Sequence, residues 1–244
     1  MEILLTRGDD AVALLRDGGY ESQWRRLHAE CPWSTGNQSP DFLLPWYFTY
    51  LDVREPLLVF TRSADGQLAA LLPLAVDRDS GGLSVAAMPQ IEYGGWLSNR
   101  EMGGDFILGA IDRLKTDFAQ RSLAFHYLPF GAPVDWLARV PELGGVRVWS
   151  EPHRRPVLQL DDPARIRAAL NKKSNKSRFN RLKRMGEVEI LRLHTRADLD
   201  PVLESMKAYC DLRQGAVNGS SPFSDDSRNE AFHLAMQDPP DAVY

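Results

Sequence analysis

The sequence predicts an α/β fold with a mixed sheet, on three observations. Apolar residues recur at helical spacing in some segments and in short runs or alternation in others, and the two kinds interleave along all 244 residues. Two apolar runs, Pro56 to Arg62 and Leu68 to Val76, flank Ser63-Ala64-Asp65-Gly66, where Asp-Gly supplies the positive φ of a tight hairpin. Ser39-Pro40 and Asp162-Pro163 each pair an N-cap residue with a proline suited to a first helical turn.

Taken in order, Glu2 to Thr6 reads as a short strand and Glu21 to Cys31 as an amphipathic helix that Pro32 stops. From Ser39 a helix carries Phe42, Leu43, Trp46, Tyr47 and Tyr50 on roughly one side. The hairpin follows, then a strand at Leu83 to Ala87, a helix at Phe106 to Phe118 and a strand at Leu123 to Leu128. Val134 to Val140 is a short helix, and Val146 to Trp149 and Val157 to Leu160 are strand-like across a polar, proline-bearing linker. A domain boundary near residue 160 divides the chain into 1–160 and 161–244. Beyond it come helices from Asp162 through Leu170 and from Ser174 to Met185, a strand at Val188 to Leu193, and a helix from Thr195 through Tyr209. A loop over Gly215 to Ser224, a helix at Asp225 to Met236 and a strand beginning at Ala242-Val243-Tyr244 complete the reading.

Composition excludes several classes of function. At ~150 residues per domain the chain makes one large domain or two small ones, and its 43% hydrophobic and 25% charged residues are ordinary globular proportions. Cys31 and Cys210 are too far apart in sequence for a Cys-x-x-Cys pair or a disulfide framework, and no histidine grouping suggests a metal. With Glu2 where a signal peptide carries bases, and Asp9-Asp10 cutting the first apolar run short, a reducing cytoplasm is the expected location. No apolar stretch reaches the ~18 residues of a membrane span. Nucleophile-elbow, Walker and dinucleotide fingerprints are absent.

The strongest local signal is electrostatic. Between Ala164 and Gly186 lie Arg165, Arg167, Lys172, Lys173, Lys176, Arg178, Arg181, Lys183 and Arg184, with no acid. The chain carries −4 as a whole, so the remainder holds 20 bases against 33 acids, or −13. At ~100° per residue Lys172, Lys173, Lys176, Lys183 and Arg184 fall within a ~120° arc, and Phe179, Leu182 and Met185 occupy another. Such a face suits phosphates or an acidic carrier; a solvated surface balancing the acidic remainder is the alternative. Nucleic acid is not expected, because no aromatic ladder interleaves with the bases.

A second signal is Gln90-Ile91-Glu92-Tyr93-Gly94-Gly95-Trp96, a glycine-hinged loop after a strand. Glu92 is the candidate general base if burial raises its pKa, and Tyr93 the candidate proton donor or substrate contact. The alternative is a strand-end turn whose aromatics fill the core. Arg100-Glu-Met-Gly103-Gly104-Asp105 opens a helix whose amides suit a pyrophosphate, except that Asp105 sets a negative charge against it.

Two stretches together resemble a known family. The first is Ser39-Pro40-Asp41-Phe42-Leu43 with Trp46, then Pro56-Leu57-Leu58-Val59 and Gly66 to Leu74. The second runs from Ala168 through Lys172-Lys173, Arg178, Arg181 to Arg184 and Gly186 to Val188-Glu-Ile190. In this order they resemble the CelD/BcsL-like proteins, a bacterial branch of the GNAT acyltransferases related to FemAB-type aminoacyltransferases. The resemblance implies a tandem of two GNAT-like units, the second starting at the basic helix and continuing beyond Tyr244. It implies transfer of an acetyl or other acyl group from acyl-CoA to an amine or hydroxyl acceptor, small-molecule or saccharide, in exopolysaccharide or cell-envelope synthesis. No metal or tightly bound prosthetic group is needed. Lys172, Lys173, Lys176, Arg178 and Arg181 would bind an anionic substrate or the CoA phosphates. A noncatalytic module presenting the same helix to an acidic partner is the alternative.

Overall fold

The computed structural model describes residues 1–118, 121–152, 160 and 162–237. They divide into two units, one of residues 1–148 with the described residues from Thr195 on, the other of Trp149–His194.

The first unit opens with β1 (Leu4–Arg7), α1 (Gly8–Leu15) and α2 (Gly18–Glu30). Gly8 makes the strand-to-helix corner at a φ of 60°, open to glycine at little steric cost. The Asp17 carboxylate accepts from Gly19 N at 2.7 Å and caps α2. Helix α3 (Pro40–Thr49) starts at its proline and buries Leu43, Trp46 and Tyr47. Strands β2 (Arg54–Arg62) and β3 (Leu68–Asp77) form the expected antiparallel hairpin, turned by Gly66 at a φ of 79°, and β1 pairs antiparallel with β2. Both long strands are buried almost continuously from Pro56 to Thr61 and from Ala70 to Val76. That pattern belongs to a sheet covered on both faces.

The next strand is interrupted. Strand β4 (Leu83–Val85) pairs with β3 at Leu74–Val76, the chain leaves the sheet, and β5 (Leu97–Ser98) returns to pair with β3 at Ala70–Leu71. The single strand expected at Leu83 to Ala87 is thus cut short where Ala87 takes a φ of 65°. Helix α4 (Gly103–Asp117) then buries Phe106, Ile107, Ala110 and Leu114, packs on β2, β3 and β5, and carries a 3-10 segment, Asp135–Leu143, against itself.

Leu123 to Leu128 forms no strand. It runs irregularly beside the excursion, joined by Gly94 N donating to Tyr127 O at 3.1 Å. Val146 to Trp149 is also irregular, with Trp149 exposed. The strand expected at Val157 to Leu160 lies outside the described residues except for exposed Leu160, and the one at Ala242 to Tyr244 lies wholly outside them.

In the second unit, α5 (Pro163–Leu170) is capped by Asp162, whose carboxylate accepts from Ala164 N and Arg165 N. Helix α6 (Lys173–Met185) ends at Gly186, and neither helix buries a residue. Val188 to Leu193 is irregular and exposed rather than a strand. No described residue pairs with it, and a lone strand leaves its backbone groups to water.

From Thr195 the chain belongs to the first unit again. Thr195 and Asp198 form a capping box at the start of α7 (Arg196–Asn218), which runs through Gly215 and ends at Gly219, φ 69°, so part of the expected loop is helix. Helices α8 (Pro222–Asp225) and α9 (Arg228–Ala235) follow. Phe232 packs edge-on to Phe42 of α3 at 5.2 Å, and Arg228 pairs with Asp52 at 2.6 Å. By these contacts 195–237 groups with residues 1–148, and the basic helix lies in the other unit. Among the described residues no helix is long and apolar enough to cross a membrane.

Candidate functional site

The excursion between β4 and β5 carries the loop singled out in the sequence. Trp96 is buried among Trp33, Phe125 and Trp136, and Ile91 is buried beside it in sequence terms five residues earlier. The glycines permit close approach rather than an unusual φ. A Cβ on Gly94 would lie 3.1 Å from Val85 Cγ1, and one on Gly95 would lie 3.2 Å from Pro129 Cδ. With its amide oxygen turned to the loop, Asn37 accepts from Glu92 N at 3.3 Å and Tyr93 N at 3.1 Å. Tyr93 is half-buried, its ring 6.3 Å from that of Tyr127. Glu92 is exposed, so the burial required of it as a general base is absent.

The other expected cradle is filled. A Cβ on Gly103 would come within 2.5 Å of Trp33 Cη2, and one on Gly104 within 3.4 Å of Asp135 Oδ1. Asp105 is paired with Arg139. A ring and carboxylates therefore occupy the N-terminus of α4 where a pyrophosphate would need room and positive potential.

Lys172, Lys173, Lys176, Arg178 and Arg181 are all exposed. Lys173, Lys176 and Arg184 share an open face of α6 with Ser177 and Asn180, and Lys183 Nζ lies 4.8 Å from the centre of the Phe179 ring. These bases belong to the second unit, whereas Glu92 and Tyr93 belong to the first.

Sequence reasoning missed a polar cleft in the first unit. It encloses about 250 Å³ between the end of α3 (Trp46, Tyr50), the facing ends of β2 and β3 (Arg54, Asp77), the excursion (Gln90) and the α8 to α9 junction (Asp226, Arg228). Trp46 stacks on Tyr50 with ring centres 5.3 Å apart, the one-turn spacing of residues four apart in a helix. Trp46 Nε1 donates to Gln90 Oε1 at 3.3 Å, and Gln90 Nε2 donates to Tyr50 Oη at 2.9 Å. Burial, and then the Asp226 carboxylate facing it, push the Tyr50 phenol well above its ordinary pKa, so it stays protonated. Arg228 holds Asp226 at 3.1 Å on one side and both oxygens of Asp52 on the other; its hydrogen bonds hold the Asp52 carboxyl below the usual range. Across the cleft Arg54 pairs with Asp77 at 2.6 Å, and Asp77 also accepts from Ser80 N and Oγ, which lower its pKa.

No protein-family model, curated protein or solved structure matches the chain. Among the described residues no group of three or more His, Cys, Asp or Glu is arranged to hold a metal. The Cys31 thiol is pushed up by burial, which disfavours the thiolate a nucleophile needs. Nothing local in the sequence joins Trp46, Gln90 and Arg228; only the Trp46 to Tyr50 spacing hinted at one wall.

Proposed function

We propose that the chain is part of a GNAT-type acyltransferase of the CelD/BcsL-like kind, moving an acyl group from acyl-CoA to an amine or hydroxyl acceptor in exopolysaccharide or cell-envelope synthesis. The observation that supports this reading is the element order of the first unit. A strand is followed by helices, an antiparallel run of strands whose last member is interrupted, and then a helix, which is compatible with the α/β unit that the resemblance implies. In this reading the interruption brings Glu92 and Tyr93 to the acceptor. The donor's phosphates fall to Lys172, Lys173, Lys176, Arg178 and Arg181, because the N-terminus of α4 is filled. Each base can donate charge-assisted hydrogen bonds to phosphate oxygens. Titration with acetyl-CoA by calorimetry, on a protein that carries the rest of the second unit implied beyond Tyr244, tests it: saturable micromolar binding is expected, weakened about tenfold or more, roughly 1.4 kcal/mol, in Lys173→Glu with Lys176→Glu.

Exposed Glu92 and the filled N-terminus of α4 favour a second reading, a noncatalytic module that presents α6 to an acidic partner. It predicts no acetyl-CoA binding, together with binding to an acidic polymer that falls steeply between low and physiological salt.

A further inference from the structure

Helix α6 carries more positive charge than it can settle within itself. Its 13 residues, Lys173 to Met185, include Lys173, Lys176, Arg178, Arg181, Lys183 and Arg184 and no acid, and none of the 13 is buried. Lys173 and Lys176, Arg178 and Arg181, and Arg181 and Arg184 stand three apart, so like charges are neighbours on the helix surface. Lys172 at the N-cap and Lys173 after it also oppose the helix dipole. None of these bases is in an ion pair among the described residues. An anionic surface outside the helix would relieve this repulsion.

The same helix keeps an apolar side in water. At ~100° per residue Met185, Leu182 and Phe179 span an arc of ~120°, and they are 78%, 51% and 46% exposed. Bases border this arc on both sides, Arg181 beyond Met185 and Lys183 beyond Phe179, and Arg178 lies within it. Lys183 Nζ sits 4.8 Å from the centre of the Phe179 ring, so its stem runs along the apolar border. Just past Gly186, Ile190 and Leu191 are exposed as well.

The two properties together select the occupant. A free phosphate or a soluble polyanion would use the bases and leave the apolar side in water. A dry protein interface would cover the apolar side but take Arg178 and the bordering bases out of water, which is costly unless each meets a carboxylate. A lipid headgroup layer meets both requirements. The apolar side chains enter the acyl boundary, and the long Lys and Arg stems lie along it and carry their charges back to the phosphates. At ~1.5 Å per residue the helix is ~20 Å long, shorter than the ~30 Å hydrocarbon core, so it would lie in the plane of the surface. We propose that α6 docks the protein on the surface of an anionic phospholipid bilayer, with Phe179, Leu182 and Met185 turned to the acyl chains. This rests on the second reading above, a module that presents α6 to an acidic partner, and gives that partner its chemistry.

The test is co-sedimentation of the chain with vesicles of phosphatidylcholine alone and of equal parts phosphatidylcholine and phosphatidylglycerol, at low and at physiological salt, beside a titration with soluble poly-glutamate. Binding to the anionic vesicles is expected to be at least about tenfold tighter than to the neutral ones, and to weaken as salt rises. Phe179→Ser with Leu182→Ser is expected to weaken vesicle binding about tenfold or more and to leave poly-glutamate binding within about twofold, because the charge is unchanged. The Tm of that variant is expected to stay within about 1 °C of the parent, since both side chains are exposed. Phe179→Trp, which keeps an aromatic suited to the interface, is expected to retain vesicle binding. The proposal is overturned by no binding to anionic vesicles, by equal binding to neutral ones, or by undiminished binding in the double serine variant. Poly-glutamate binding without vesicle binding removes the membrane and keeps the acidic-partner reading; binding to neither removes both. Vesicle binding that vanishes in a protein carrying the rest of the second unit implied beyond Tyr244 would give the apolar side to the chain itself, and also overturns the proposal.

Discussion

Gly103→Ala decides whether the start of α4 is a packing joint or a cradle for an anion. The added methyl would lie 2.5 Å from Trp33 Cη2, 3.0 Å from Cζ2 and 3.2 Å from Pro133 Cγ, well inside van der Waals contact. Trp33 has little room to yield: it is 2% exposed, its Nε1 donates to Trp96 O at 2.7 Å, and its ring meets that of Trp96 edge-on. Overpacking of this kind costs ~1–3 kcal/mol. Alanine regains up to ~1 kcal/mol over glycine in a helix interior, and less at a first turn. The expected net loss is ~1–2 kcal/mol, a Tm drop of roughly 2–8 °C for a protein of this size. A double-mutant cycle with Trp33→Phe isolates the clash, because phenylalanine lacks the Cη2 and Cζ2 atoms that the methyl would strike. In that background Gly103→Ala is expected to change stability by less than ~0.5 kcal/mol, giving a coupling of ~1 kcal/mol or more. Urea unfolding of the four proteins provides the measurement. An equal cost of Gly103→Ala in both backgrounds, or no cost in either, would refute the packing argument.

Two buried tyrosines make opposite predictions. Tyr47 Oη donates to Leu74 O at 2.9 Å, so Tyr47→Phe should cost about 1 kcal/mol in urea unfolding. Tyr20 Oη is buried with no partner among the described residues, so Tyr20→Phe should be neutral or stabilising by up to ~1 kcal/mol; a larger loss there than at Tyr47 contradicts the hydrogen-bond assignment. Arg228→Ala should be less stable than the parent at neutral pH, and the gap should narrow in acid. The folded Asp52 carboxyl is held low by Arg228, so its contribution is present above the unfolded value of about 3.9 and is lost as pH falls through the folded pKa. The pair is largely exposed, so the effect is small and weakened by salt. A Tm difference constant from pH 7 to pH 2 would dismiss this account.

Where residues fix structure locally, the sequence was readable. The hairpin follows from Asp65-Gly66 and its flanking runs, and α2, α3 and α4 from apolar spacing and their start signals. Helix α1 escaped because Gly8-Asp9-Asp10 reads as the end of a strand, yet the glycine turns the chain and the acids sit in the first helical turn. The runs at Leu123 to Leu128, Val146 to Trp149 and Val188 to Leu193 have strand composition but no ladder. Strand formation depends on a neighbour elsewhere in the chain, which a local pattern does not contain. The cleft was hidden for the same reason, since Asp52 and Arg228 are 176 residues apart. The loop from Gln90 to Trp96 was found from its glycines and aromatics. From the same loop Gln90 reaches the cleft, a placement its local sequence does not announce.

The interruption of the sheet edge, from which the site follows, has a cause in one residue. Pro73 O accepts from Ala86 N, so Pro73 presents its backbone polar groups towards the edge where β4 and β5 pair. A residue in a strand directs its N–H and C=O to the same side, and proline has no N–H to give. The ladder of β3 therefore lacks a donor between the Leu74 partner on β4 and the Leu71 partner on β5. Continuing the strand past Val85 would leave an opposing carbonyl without its bond, and proline accordingly disfavours a paired central position. The chain departs there, with Ala87 in the left-handed region, and returns only at Leu97. That departure delivers Gln90 to Trp46 and Tyr50 in the cleft and Trp96 to Trp33 in the core. A proline conspicuous only as a blemish in an apolar strand thus determines where the polar side chains of the excursion can gather.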